Sequence, residues 1–177
     1  MGWCGKHGWL GDVGSLAAFR SIQPWAGCTE YWTFKYCCIA FTGDVMSYAR
    51  QMLDTYPRAW AIDVDVLAAA IDALSDCTQA CHADNAADLS EQNVTEMVTC
   101  IRLCLDCTDV CTATLGVVSR QTASDAAVTG PLLEVCIAIC KSCGDECERH
   151  ARMHEHCRVC AEACRRCERA CRGLLAA

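Results

Sequence analysis

Four cysteines stand within twelve residues at CIRLCLDCTDVC, residues 100 to 111. Cys100, Cys104, Cys107 and Cys111 are spaced i, i+4, i+7 and i+11, and the run holds no glycine, proline, asparagine or serine to make a loop. At about 100° per residue, four such positions fall within a helical stripe about 60° wide. Cys136, Cys140, Cys143 and Cys147 repeat the spacing further along. Cys157, Cys160, Cys164, Cys167 and Cys171 form a third stripe, about 80° wide. Cys77 and Cys81 add two more thiols on a fourth segment. Once deprotonated, thiols on such stripes are soft ligands for metal ions.

Two other uses of cysteine fit less well. As a small buried hydrophobe, cysteine packs a core poorly compared with leucine or isoleucine, and 15 on core stripes exceed what packing needs. Disulfides within a stripe would strain the helix. Neighbours at i+3 or i+4 hold their Cβ atoms about 5 to 6 Å apart, whereas a disulfide wants about 3.8 Å. Bonds between helices would not call for so many sulfurs on each. Among metals, charge points to a monovalent ion. Burying many uncompensated thiolates is prohibitively costly. One cation per thiolate makes the core neutral, while a divalent ion among four thiolates leaves about −2 at each site. Soft thiolates favour Cu(I), and one ion per thiolate sets a capacity on the order of 15 ions. Zinc, held in a broader thiolate buffer, and an iron–sulfur electron carrier are the alternatives. Both metal types usually gather their ligands from loops rather than long helical stripes.

Composition bounds the rest. The chain has 177 residues, 19 cysteines and a net charge of −7. It is long enough to bury its own core without staples. The acidic balance argues against nucleic acid as a partner. No stretch reads as a secretory signal, so reduced thiols in the cytoplasm are expected. No apolar run approaches the length of a membrane span, so no membrane partner is expected. Nothing suggests an acid/base pair or an activated nucleophile, and the expectation is a binding protein, not an enzyme.

The text changes character near residue 45. Residues 1–45 hold four of the five tryptophans, all three phenylalanines and seven of the eleven glycines, without sustained periodicity. They read either as a poorly ordered extension or as a mis-assigned start, with translation beginning at Met46. Cys4, Cys28, Cys37 and Cys38 fall there and match no downstream spacing, so they are left out of the site. Residues 46–177 read as the metal-storage domain. Helices are expected over 63 to 83, from Ser90 as N-cap to about Ser119, from Pro131 in a first turn to about Arg152, and from past MHEH to about Leu175. The polar run DNAADLS reads as a short connection, and a short extra helix fits 46 to 56. Long helices with short links give an all-α, antiparallel four-helix bundle with a cysteine-lined core.

The two ends of that bundle differ. Extended one way, the stripes reach Met97 on the second helix and His150 and His154 beyond the third. His156 and Met153 lie close by, and Cys81 shares that end. The other way they reach Leu67, Leu74, Leu115, Val118, Leu132, Leu133, Leu174 and Leu175, a hydrophobic plug. A one-ended vessel is expected, with ions admitted past His150, His154 and Met97. His82 is about 100° off the Cys81 direction and belongs on the surface.

CIRLCLDCTDVC, CIAICKSCGDEC and CRVCAEACRRCERAC resemble the helices of the bacterial copper storage proteins, in their cytosolic branch. The resemblance covers about residues 46 to 177. It implies a homotetramer of four-helix bundles and Cu(I) bound largely by cysteine pairs, many ions per chain. It also implies uptake at an end carrying histidine or methionine. Carried onto this sequence, the ligands are the cysteines from Cys77 to Cys171, with His150 and His154 at the mouth. Only two cysteines on the first helix, and 45 leading residues that match nothing in the family, are the departures.

Overall fold

The computed structural model describes residues 46–122 and 124–177. Residues 1–45 lie outside them, and with them Cys4, Cys28, Cys37, Cys38 and both readings of that segment.

A short helix comes first, α1 (Tyr48–Asp54), capped by Ser47, whose Oγ accepts from the Arg50 N–H at 3.2 Å. Leu53 buries its side chain, and Trp60 Nε1 donates to the Leu53 carbonyl at 3.0 Å, tying the connection down. Four long helices follow: α2 (Val64–Asp88), α3 (Val94–Val118), α4 (Ala126–His150) and α5 (Glu155–Leu175). Each is about 30 to 38 Å long. α2 packs on α3, α3 on α4, α4 on α5, and α5 back on α2. No diagonal pair of helix backbones comes close among the described residues. The arrangement is a square, up-down-up-down bundle with one central channel of side chains. α1 lies against α2.

Local chemistry explains the helix starts. Asp63 caps α2 by accepting from the N–H groups of Asp65 at 2.8 Å and Val66 at 3.4 Å. Asp125 caps α4 through the Ala127 N–H at 2.9 Å. Two expected boundaries move. Ser90 is not a cap: its hydroxyl donates back to the Ala86 carbonyl, and α3 starts after Asn93. Pro131 sits inside α4 rather than in its first turn, because Asp125 starts the helix five residues earlier than expected. The third correction matters most. DNAADLS is not a connection through its length, since α2 runs on to Asp88.

The core is the cysteine set itself. All fifteen cysteines from Cys77 to Cys171 are buried, and each is at most 1% exposed. Leu67, Leu74, Val118, Leu133 and Leu174 close one end, with Ala70 and Ala73 among them. Leu175 was expected in that plug but is 42% exposed. Outside, Arg165 lies across α4, reaching Glu148 at 2.8 Å, Asp145 and the Lys141 carbonyl. Gly144 makes room for it, as a Cβ there would stand 3.2 Å from the guanidinium carbon.

The expectation that no segment is apolar enough to span a membrane needs correction. α4 is long and apolar enough to do so by length and composition. Its apolar side chains divide between the bundle core, where Leu133, Cys136, Ile137, Cys140 and Cys143 are buried, and the outer face, where Val128 and Val135 are exposed.

Candidate metal centre

The inner faces of α2 to α5 converge on one column of sulfur. Adjacent helices place their thiols 3.6 to 3.9 Å apart, as between Cys100 and Cys147 at 3.6 Å, Cys81 and Cys160 at 3.7 Å, and Cys107 and Cys140 at 3.9 Å. A disulfide bond is about 2.05 Å, so these are free thiols in contact. Two sulfurs bound to one ion at about 2.3 Å stand about 3.8 to 4.0 Å apart in tetrahedral or trigonal geometry. The column therefore accepts metal with little movement.

The groups share corners. Sulfurs of Cys77, Cys81, Cys107 and Cys164 lie within 4.8 Å of one another, as do those of Cys77, Cys107, Cys111 and Cys140. The same holds for Cys81, Cys104, Cys143 and Cys160, and for Cys111, Cys136, Cys140 and Cys167. Cys77, Cys81, Cys107, Cys111 and Cys140 each belong to two groups. Isolated tetrathiolate sites need four thiolates each, so they could not all fill. A continuous network suits low-coordinate ions that share sulfurs.

Hydrogen bonds between neighbouring thiols divide them into two kinds. Contacts with Cys104 and Cys107, then burial, raise the Cys81 thiol well above its ordinary value. Cys140 and Cys164 are raised in the same way. Their neighbours Cys77 and Cys143 are lowered, because they accept from surrounding thiols. Burial opposes ionisation at every one of these positions.

At the end away from the leucine plug the donors change. Asp84 and Asp88 on α2 point inward, 2% and 0% exposed. Asp84 Oδ2 accepts from Cys104 at 3.3 Å, Cys147 at 3.5 Å and Cys100 at 3.8 Å. Its Oδ1 accepts from His156 Nδ1 at 2.7 Å, and His156 Nε2 donates to Glu91 at 3.2 Å. Carboxylates against both ring nitrogens favour the protonated imidazole. Burial disfavours that charge, but the bonds to Asp84 and Glu91 outweigh it and raise the His156 pKa. His154 Nδ1 meets the same Glu91 oxygen at 2.9 Å, and the His154 and His156 rings are 5.4 Å apart. Burial, then the charges of Cys100 and Asp84, push Asp88 up to about 8.

Of the residues read from sequence, His154 joins this cluster. His150 pairs instead with Glu146 on its own helix at 3.3 Å, with 15% of its side chain exposed. Met97 is fully buried, Met153 is 69% exposed, and His82 is on the surface as expected. Asp84, Asp88, Glu91 and the inward place of His156 were missed. A signal for two of them was present. Cys77, Cys81, Asp84 and Asp88 are spaced i, i+4, i+7 and i+11, like Cys100 to Cys111.

A closed, four-helix column of reduced thiols with one polar mouth defines a metal-holding protein rather than a redox or disulfide scaffold. The sequence model of the copper storage proteins matches residues 63–176, and the chain belongs to that family. The cytosolic copper storage protein Ccsp from Streptomyces lividans, in a structure loaded with 10 copper equivalents, is 52% identical. The likeness covers 72% of this chain and 98% of that one, with a TM-score of 0.71. The Cu(I)-bound copper storage protein BsCsp3 is 34% identical over 60% of this chain and 95% of its own, with a TM-score of 0.54. A cysteine-rich protein of uncharacterised function from Bacillus subtilis, YhjQ, is 37% identical over 108 residues, 61% of this chain and 94% of its own length.

Proposed function

We propose that this chain stores Cu(I), many ions at a time, in the cytoplasm, on thiolates lining the bundle formed by residues 46–177. The ligands are Cys77, Cys81, Cys100, Cys104, Cys107, Cys111, Cys136, Cys140, Cys143, Cys147, Cys157, Cys160, Cys164, Cys167 and Cys171. Copper is the cargo, and the chain holds it without transforming it. The observation that carries this reading is the corner-sharing column of buried free thiols, closed at one end by leucine and valine. Monovalent Cu(I) neutralises such a column ion by ion, and soft thiolates prefer it.

Uptake runs through the mouth, where His154 hands ions inward and His150 and Met97 assist. The contact of His154 with the partly exposed Glu91 at that end supports this, as does the burial of Met97 at the top of the α3 stripe. Four copies assemble into a homotetramer, as the family resemblance implies. The cytosolic assignment draws on the likeness to the Streptomyces lividans protein.

The test is an anaerobic titration of reduced protein with Cu(I) against a chromophoric chelator. A sharp endpoint near one ion per core thiol is expected, on the order of 15 per chain. An endpoint at one to four ions would overturn storage. Binding of Zn(II) in preference to Cu(I) under competition would make the column a general thiolate buffer.

A further inference from the structure

On the outside of the bundle, beside α1, lies a groove that no cysteine lines. Its volume is about 790 Å³, and it runs between α1, the connection to α2, and the adjoining faces of α2 and α3. Tyr48, Met52, Tyr56, Trp60 and Leu115 make its walls largely apolar, and three of those five are aromatic. The Tyr56 and Trp60 ring centroids are 4.3 Å apart. Their polar edges are already used. Trp60 Nε1 donates to the Leu53 carbonyl at 3.0 Å, and the Tyr56 hydroxyl meets Thr122 Oγ1 at 3.4 Å. What the two rings offer an occupant is π surface. One charged side chain lines the groove, that of Asp72. Other acids of α2 have cations, Asp65 with Arg50 and Asp76 with Arg166. Asp72 has no such partner among the described residues.

We propose that this groove binds a small organic cation, an ammonium group carrying an apolar body. A positive charge is attracted to the faces of tryptophan and tyrosine within about 6 Å of the ring centroid. Aromatic walls with a single carboxylate therefore complement an ammonium ion. A neutral apolar molecule would leave Asp72 without a counter-charge, and an anion would be repelled by it. A hard metal ion needs more oxygen ligands than one carboxylate supplies. The volume lies within the roughly 300 to 1,000 Å³ of small-molecule pockets, which are likewise apolar with a few placed polar groups. Met52 is 70% exposed, and its flexible side chain can settle around the apolar body. The groove stands apart from the sulfur column, so this inference does not depend on copper storage.

The test uses the full chain, reduced and metal-free, titrated with benzyltrimethylammonium by isothermal calorimetry, with benzyl alcohol as the uncharged probe. Saturable binding of the cation is expected, at least about 5-fold tighter than that of benzyl alcohol. Tyr56→Leu keeps an apolar wall but removes a ring, and should weaken binding by about 5- to 30-fold, the range of a cation–ring contact from exposed to desolvated. Asp72→Asn keeps the shape but removes the counter-charge, and should weaken it by about 5-fold, as for a partly exposed ion pair. Neither side chain is fully buried, so both variants should fold and keep the Cu(I) endpoint of the unaltered chain. An isotherm without saturation overturns the proposal, and a groove covered by a second copy of the chain would give that result. Benzyl alcohol binding as tightly as the cation also overturns it, because the groove is then a plain apolar pocket. So does binding that either variant leaves unchanged, which places the cation elsewhere.

Discussion

Asp88 is a costly residue to ionise in this bundle, and its cost sets a pH dependence. Burial, Cys100 and Asp84 push its carboxyl from 3.8 to about 8, so the folded state holds a proton there that the unfolded chain releases near pH 4. A raised carboxyl pKa favours folding below the unfolded value, and that advantage is lost as pH rises through the folded one. His156, raised by Asp84 and Glu91, has the same sign above pH 6.5. Metal-free protein should therefore lose stability from pH 5 to pH 8, by up to about 1.4 kcal/mol per unit from Asp88 alone. Asp88→Asn is neutral throughout and should flatten the profile, read as urea midpoints of the reduced protein at several pH values. An unchanged slope would mean that Asp88 is ionised in the fold, with its charge met by His156.

One helix, α2, carries the whole polarity gradient of the vessel along its inner face. Leu67, Ala70, Ala73 and Leu74 come first, then Cys77 and Cys81, then Asp84 and Asp88, all buried. The apolar part stabilises the bundle and the rest handles ions, so the two should separate by mutation. Leu74→Ala, at a fully buried position, should cost about 2 to 5 kcal/mol of unfolding free energy through lost transfer and a residual cavity. Its Cu(I) endpoint should stay the same, since no thiol is removed. A lowered endpoint would mean that the plug also shapes the sulfur column. The same helix marks what sequence could reveal. The cysteine stripes were legible because a helical period of one residue type has few other meanings, and they fixed four helices and their inward faces. The last turn of α2 was not. DNAAD is polar enough to read as a loop, and only its tertiary neighbours, Cys104, Cys147 and His156, make its carboxylates inward-facing. Met97, His150 and His154 follow from extending a stripe. The inward turn of His156 does not, because it depends on Asp84, a partner 72 residues away. Pro131 misled for a related reason: the cap that starts α4 is Asp125, and proline is tolerated further inside.

For the molecule as a whole, fifteen thiols in contact raise a question of charge. With sulfurs 3.6 to 3.9 Å apart and sealed from water, the empty column cannot hold all of them as thiolates. Most of its thiols must be protonated when empty, which also lets the protein fold before any metal arrives, as neutral thiols are moderately apolar. Loading is then an exchange in which each thiol releases its proton as its sulfur bonds copper, R–SH + Cu+ → R–S–Cu + H+. A column that stays neutral throughout should release about one proton per Cu(I), from the first ion to the endpoint. Four thiolates gathered around each divalent ion would instead release about four, leaving −2 behind at every site. The ratio is measurable in weak buffer by pH-stat, with Cu(I) delivered anaerobically from a donor whose own protonation does not change. A steady value near one would mean that charge neutrality governs how the vessel fills. A value well above one early in the titration, falling later, would mean that the first ions gather extra thiolates into anionic clusters. The surplus charge would then have to be met at the mouth, where His156, its pKa raised by Asp84 and Glu91, touches Cys157.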